Sequence, residues 1–215
     1  MPTYVCRDMK EITAGLHTLH LAPGTEERLL LRGVGITLNV EQESDTSLIV
    51  YCDATSGTGE NHIDIHQSGD NASTELRGKV VLKGQDSVAN YTRITHHGTG
   101  GKSNCIFKYV LDGESKGLFR GELIIKPDAQ KTEATQTNRN ILLSEQARMQ
   151  TLPQLEIYAD DVKASHGATT GQMDEEAIFY MQQRCISRKE AEQLLLEAFL
   201  SDVSLHDETG MAAQD

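Results

Sequence analysis

His62-Ile63-Asp64-Ile65-His66 and Ile106-Phe107-Lys108-Tyr109-Val110-Leu111 set apolar against polar side chains with a period near two, the mark of extended chain with one face turned inward. Around them, from about Arg28 to Ala168, the sequence is a succession of similar short runs: RLLLRG, GITLNV, SLIVYCD, TELRG, KVVLKG, VANYTRITHHG, CIFKYVLDG, GELIIKPD, LEIYADD. Asn, Asp, Gly and Ser separate them, as turns require. No helical pattern intervenes, which argues against strand–helix–strand architecture and leaves a mainly β fold: sandwich, barrel or solenoid. A faint internal echo favours the solenoid. Tracts at Ala72, Ala89, Ala129, Ala147 and Val162 place a small or β-branched residue ahead of Thr or Ser, at steps of 17, 40, 18 and 15 residues. Such a step suits one coil of a stack in which each coil buries its apolar side on the next.

The character changes after Gly171. Asp174-Glu175-Glu176 supplies an N-cap and an acidic first turn, and Ser187-Arg188-Lys189-Glu190 reads as a capping box. Behind the box, Ala191, Leu194, Leu195, Ala198 and Phe199 form an amphipathic stripe, so two short C-terminal helices follow the strands. Leu194, Leu195 and Phe199 are expected to pack the second helix onto the body, with the helix pair covering the C-terminal end of the strand stack. The organisation is then an N-terminal remnant or cap over residues 1–27, a β core over 28–171, a helical segment over 172–204 and a frayed tail over 205–215.

Composition narrows the function. The 215 residues carry 32 Asp and Glu against 20 Lys and Arg, a formal charge of −12, which disfavours nucleic acid and anionic membrane surfaces as partners. Apolar runs are far shorter than the roughly 20 residues a bilayer span needs, and the opening MPTYVCRDMK has no leader-like apolar stretch, so a cytoplasmic location is expected. Cys6, Cys52, Cys105 and Cys185 are widely scattered, with no close pair of the kind that a zinc or standing iron–sulfur ligand set shows. The Gly98-Thr99-Gly100-Gly101 tract is not a phosphate loop, and no G-x-S-x-G elbow is present.

Two constellations could carry chemistry. His62, Asp64 and His66 project from one face of a strand at about 7 Å spacing, with imidazole and carboxylate groups that suit a borderline metal. His96 or His97 could add a fourth ligand from the next coil. The same alternation also describes a plain solvated face over buried Ile63 and Ile65. His166, in Ala164-Ser165-His166-Gly167-Ala168, is either a ligand held at a chain reversal or a histidine that satisfies backbone carbonyls there.

From about residue 117 to 200 the motifs become specific. Gly121 to Lys126 (GELIIK), Pro127-Asp128-Ala129-Gln130-Lys131-Thr132, Gln136-Thr137-Asn138-Arg139-Asn140-Ile141-Leu142-Leu143-Ser144, Pro153-x-Leu155-Glu156-Ile157, Ala159 to Gly171 (ADDVKASHGATTG) and Phe179-Tyr180 closely resemble the core domain of the SufB/SufD family, scaffolds of the SUF iron–sulfur cluster assembly machinery. The resemblance implies a right-handed parallel β-helix with a C-terminal helical segment. SufB-type chains carry a Cys in the segment aligned with Gln136–Leu142 and a Glu where Gly167 stands. This chain has neither, and so looks SufD-like. By that resemblance His166 matches the histidine implicated in building the cluster at the interface with SufB.

The implied role is a non-catalytic scaffold. It would meet a SufC-type ATPase through the helical segment, with Gln182, Gln183 and Arg184 on its exposed faces, and pair with a SufB-type subunit or with itself. No permanent cofactor is implied; iron or an iron–sulfur cluster would be a transient cargo at the partner interface. One departure concerns the turn between the helices, where the family's Arg-Gly-Ile is Arg184-Cys185-Ile186. A left-handed residue there costs roughly 1 kcal/mol when it is Cys. The alternatives are a metal-binding or protein-interaction solenoid outside cluster assembly, and a pectinase-like lyase, whose Asp or Arg–Lys face and secretory signal are not evident.

Overall fold

The computed structural model describes residues 9–205. Thirteen strands alternate between two sheets, odd-numbered strands in one and even-numbered in the other: β1 (Lys10–Ile12), β2 (Gly15–Leu21), β3 (Glu26–Arg32), β4 (Ile36–Gln42), β5 (Ser47–Ala54), β6 (Thr58–Gln67), β7 (Ser73–Leu82), β8 (Ser87–His96), β9 (Lys102–Leu111), β10 (Lys116–Ile125), β11 (Glu133–Leu142), β12 (Arg148–Ile157) and β13 (Lys163–Gly171). Every pairing is parallel and joins strand n to n+2, which makes the body a parallel β-solenoid of two facing sheets. Helices α1 (Glu175–Gln182) and α2 (Arg188–Leu200) follow it.

In-register stacking explains the core. Leu29, Val50, Leu76 and Cys105 lie over one another in the first sheet, and Val40, Ile65, Ile94 and Leu123 in the second. All eight are buried, the seven aliphatic ones each contributing about 1.5–3 kcal/mol. Phe107 and Phe119 meet across the interior with ring centroids 5.0 Å apart. Gly78 makes room for them, since a β-carbon there would sit 2.1 Å from Phe107 Cδ1. At one corner the chain turns through Asp45, Asn71, Gly100 and Lys131, all with φ between 56° and 72°. The N–H of each donates to a carbonyl of the next coil, at 2.6–2.9 Å, so the corner is itself a hydrogen-bonded ladder.

Three sequence expectations are corrected. The solenoid starts at Lys10, not near Arg28: β1 and β2 form the first coil, where residues 1–27 were assigned to a remnant or cap. Its pattern is obscured because a terminal coil lacks a neighbour on one side, and Leu16, 70% exposed, breaks the alternation. Second, contacts between equivalent positions of the later coils span 29–31 residues, so the echo of 15–18 residues marks single strands and their corners, two to a coil. Third, the helices do not cover the C-terminal end. The side chain of Lys108, on the outer face of β9, bonds the Phe199 carbonyl (2.6 Å) and Asp202 Oδ1 (2.7 Å), which draws the end of α2 onto the flank of the first sheet. The tail beyond residue 205 lies outside the described residues.

Candidate functional site

The last coil is open. In β13, Ala164, His166, Ala168 and Thr170 stand in register with the buried Ala134, Gln136, Asn138 and Asn140 of β11, yet no further described strand stacks on them, and His166 is exposed. The imidazole makes no hydrogen bond, ion pair or ring contact with any described residue. That removes the reading in which His166 satisfies backbone carbonyls. It also places the residue within a strand, not at a chain reversal. Beneath it the interior turns polar: Gln136 Nε2 donates to the Gly121 carbonyl (3.1 Å), Asn138 Nδ2 to that of Phe107 (3.1 Å), and Asn140 Nδ2 to Asn138 Oδ1 (2.8 Å). On the same coil Leu152, Ile157 and Tyr158 are 44%, 43% and 58% exposed, with Leu152 on the outward and Ile157 on the inward parity of β12. A neutral imidazole so placed can give one ring nitrogen to a metal.

His62, Asp64 and His66 do share the outer face of β6, but the structure ties each to something else. His62 stacks on Tyr91 at 4.7 Å and lies 3.4 Å from Glu60 Oε2. Asp64 holds His66 (3.3 Å) and Arg93 (3.4 Å), and Arg93 is also held by Glu122 at 2.8 Å. Among the described residues no three His, Cys, Asp or Glu side chains converge as a ligand set. Of the two histidines expected to add a fourth ligand, His96 is corrected. His96 points into the core, fully buried and 2.8 Å from Ser103 Oγ, because it occupies the inward parity of β8; burial pushes its pKa down to about 4. His97 alone reaches the outer face, 5.9 Å from His66.

In the helical segment both caps form as the sequence indicates: Asp174 accepts from the N–H groups of Glu176 and Ala177, and the Ser187–Glu190 box is closed. Cys185 takes φ 64°, so the left-handed turn exists without its glycine. The stripe of α2 is rotated from its expected position. Ala191 is buried and Leu195 and Phe199 half-buried, but Leu194 is 46% exposed. It lines a shallow cleft with Cys185, Ile186, Glu190 and Gln193. Gln182, Gln183 and Arg184 are exposed, and Arg184 lies over the Tyr180 ring at 3.5 Å. Phe179 and Tyr180 add 63% and 57% exposed rings, which makes this hairpin the second apolar surface beside the open coil. Sequence reading missed Lys108. Its signal was the apolar Ile106 and Val110 on the same outward parity, since a strand apolar on both faces is covered on both.

Such a molecule, a two-sheeted parallel stack with an appended helical hairpin, is a parallel β-solenoid. The chain belongs to the SufB/SufD family: residues 31–199 match the family described as "SUF system FeS cluster assembly, SufBD core domain". Among curated proteins it is 34% identical over 143 residues to the "Iron-sulfur cluster assembly protein SufD" of Escherichia coli (strain K12), covering 66% of this chain and 34% of that protein. It is 32% identical over 142 residues to the "Iron-sulfur cluster assembly SufBD family protein slr0076" of Synechocystis, covering 66% and 31%. The SufD protein of Bacillus subtilis (strain 168) is 33% identical over 135 residues, covering 63% and 31%. The chain thus spans about a third of the length of the curated relatives it matches. No helix among the described residues is long and apolar enough to cross a membrane.

Proposed function

We propose that this chain works in iron–sulfur cluster assembly as a SufD-like scaffold, with His166 as a ligand for iron or the nascent cluster at a partner interface. The observation that carries the reading is an imidazole with no described partner on an uncovered coil. A structural histidine would be bonded; a ligand awaiting a metal and a second subunit would be free. A SufB-type subunit, or a second copy of this chain, would cover the open coil with its exposed Ile157 and Tyr158, and one imidazole from this side would give the weak, incomplete ligation that suits a cluster made for export. A SufC-type ATPase would dock on the hairpin, against Gln182, Gln183 and Arg184 with Phe179, Tyr180 and Leu194 beside them.

The test is His166→Ala. The side chain is exposed and unbonded, so the melting temperature should stay within a degree or two and both partners should still co-purify, while cluster formation fails in cells that depend on this machinery. Full complementation by the stable variant would overturn the assignment. A marked loss of stability would return His166 to a structural role.

A further inference from the structure

The outer face of the second sheet carries two imidazoles and a carboxylate near the corner where β6 and β8 end. Asp64 and His66 lie two residues apart on β6, and His97 directly follows the last residue of β8. The two oxygens of Asp64 differ. Its Oδ2 lies 3.4 Å from Arg93, which Glu122 holds in turn at 2.8 Å. Its Oδ1 is buried and accepts no hydrogen bond, although His66 Nε2 is only 3.3 Å away. A carboxylate oxygen withdrawn from water without a donor is costly.

That separation suits a shared cation. Two ligand atoms on a tetrahedral zinc ion, with bonds of about 2.0–2.1 Å, stand roughly 3.3 Å apart. His97 is the available third group. Its ring centroid is 5.9 Å from that of His66 with the planes 26° apart, and its side chain makes no hydrogen bond or ion pair with any described residue. Two imidazoles on one tetrahedral ion bring their centroids to roughly 5 Å, so His97 must approach by about 1 Å and turn its edge toward His66. As the side chains stand, no three of them converge. His97 is free to turn, being exposed and past the end of its strand. The other outward histidines of this sheet are engaged elsewhere: His62 stacks on Tyr91, and His20 pairs with Glu43 at 2.9 Å.

We propose that this corner is a site for a divalent first-row metal, zinc or ferrous iron, bound by Asp64 Oδ1, His66 Nε2 and a ring nitrogen of His97, with the remaining coordination open. The ligand types select the metal. Calcium and magnesium take oxygen ligands, which disfavours them beside two imidazoles. Two imidazoles and one carboxylate suit zinc, and with open positions they suit ferrous iron. Arg93 supports the site by engaging Oδ2, which leaves Oδ1 to face His66, and Glu122 offsets the guanidinium charge. Asp64 and His66 belong to one coil and His97 to the next, so the ion would also tie two coils together. The site is separate from His166, which lies on β13 in the other sheet.

The experiment is a titration of the metal-free full chain with zinc chloride by calorimetry, with cobalt(II) chloride by visible absorption, and with ferrous ions under anaerobic conditions. Each is repeated on His166→Ala, so that binding at the open coil is counted apart. The expected result is one equivalent retained without His166, a cobalt spectrum lacking thiolate-to-metal charge transfer, and zinc-induced shifts of the His66 and His97 ring resonances. His66→Ala or His97→Ala should weaken binding by more than the roughly 10- to 100-fold that loss of an outer-shell partner costs, while His62→Ala leaves it unchanged. Zinc should raise the melting temperature of His166→Ala, and should not do so once His97→Ala is added. Absence of the retained equivalent, its persistence in His97→Ala, or its loss in His62→Ala would overturn the proposal. Should a variant fail to fold, the ring shifts of the unaltered chain decide.

Discussion

Replacing Lys108 by Met should free the helical hairpin while leaving the solenoid intact. The methionine keeps the apolar stem, which packs in a site where the lysine side chain is only 6% exposed, and removes the ammonium. Two charged bonds are lost. The one to Asp202 is worth little, roughly 0–1 kcal/mol, because that carboxylate is 52% exposed and water replaces the partner. The one to the Phe199 carbonyl closes the end of α2, and charge-assisted bonds of this kind contribute about 1.5–3 kcal/mol. Relief from holding an ammonium in a buried site offsets part of both. The net loss should therefore be about 1–3 kcal/mol, confined to the docking of the hairpin. Amide exchange across α2 should then accelerate roughly 5- to 150-fold, since 1.4 kcal/mol is a factor of ten. Exchange measured by mass spectrometry would resolve α2 and the segment through Val203 from β9 and its neighbours. Unchanged exchange in α2, or equal acceleration in β9, would refute the assignment of Lys108 as a latch.

Acid should weaken the fold through His96. Its pKa falls from 6.5 in the free side chain to about 4 in the folded chain, so the unfolded state binds the proton more readily; the contribution of the buried imidazole is full above pH 6.5 and declines by about 3 kcal/mol as pH drops toward 4. His96→Leu should flatten that part of a stability profile measured by urea titration. Gly78→Ala should destabilise by about 1–3 kcal/mol through overpacking on Phe107, and Phe107→Leu in the same chain should recover part of the loss in a double-mutant cycle. Leu194→Asp or Phe179→Asp should leave the melting temperature almost unchanged, both side chains being exposed, yet abolish co-purification of a SufC-type ATPase; retained binding would move that contact off the hairpin.

The strands were legible wherever a coil has neighbours on both sides, because only there must every inward position be apolar or internally bonded. Val40, Ile65, Ile94 and Leu123 illustrate the rule, whereas β2, with His17 on the inward parity and Leu16 outside, escapes it. Caps were legible because they are local: Asp174 and Ser187 need only the residues two or three positions on. The rotation of α2 was not, since the Lys108 contact that sets it lies 91 residues away in sequence. The resemblance singled out His166, but its freedom from partners is a property of the open coil that no local pattern records. For His62, Asp64 and His66 the spacing was read correctly and the ion pairs with Glu60 and Arg93 were not visible, because the Arg93 pair joins neighbouring coils.

Because each coil touches only the coils above and below it, the stability of the stack is close to a sum of nearest-neighbour terms. The coil that carries His166 has one such term where interior coils have two, so it opens locally more easily than they do. Any molecule that settles on the β12–β13 end supplies the missing term, and mass action then ties its concentration to the order of that coil. Occupancy of the end and rigidity of the imidazole are thus one thermodynamic variable: a ligand-bearing strand that firms up when a partner arrives and loosens when it departs.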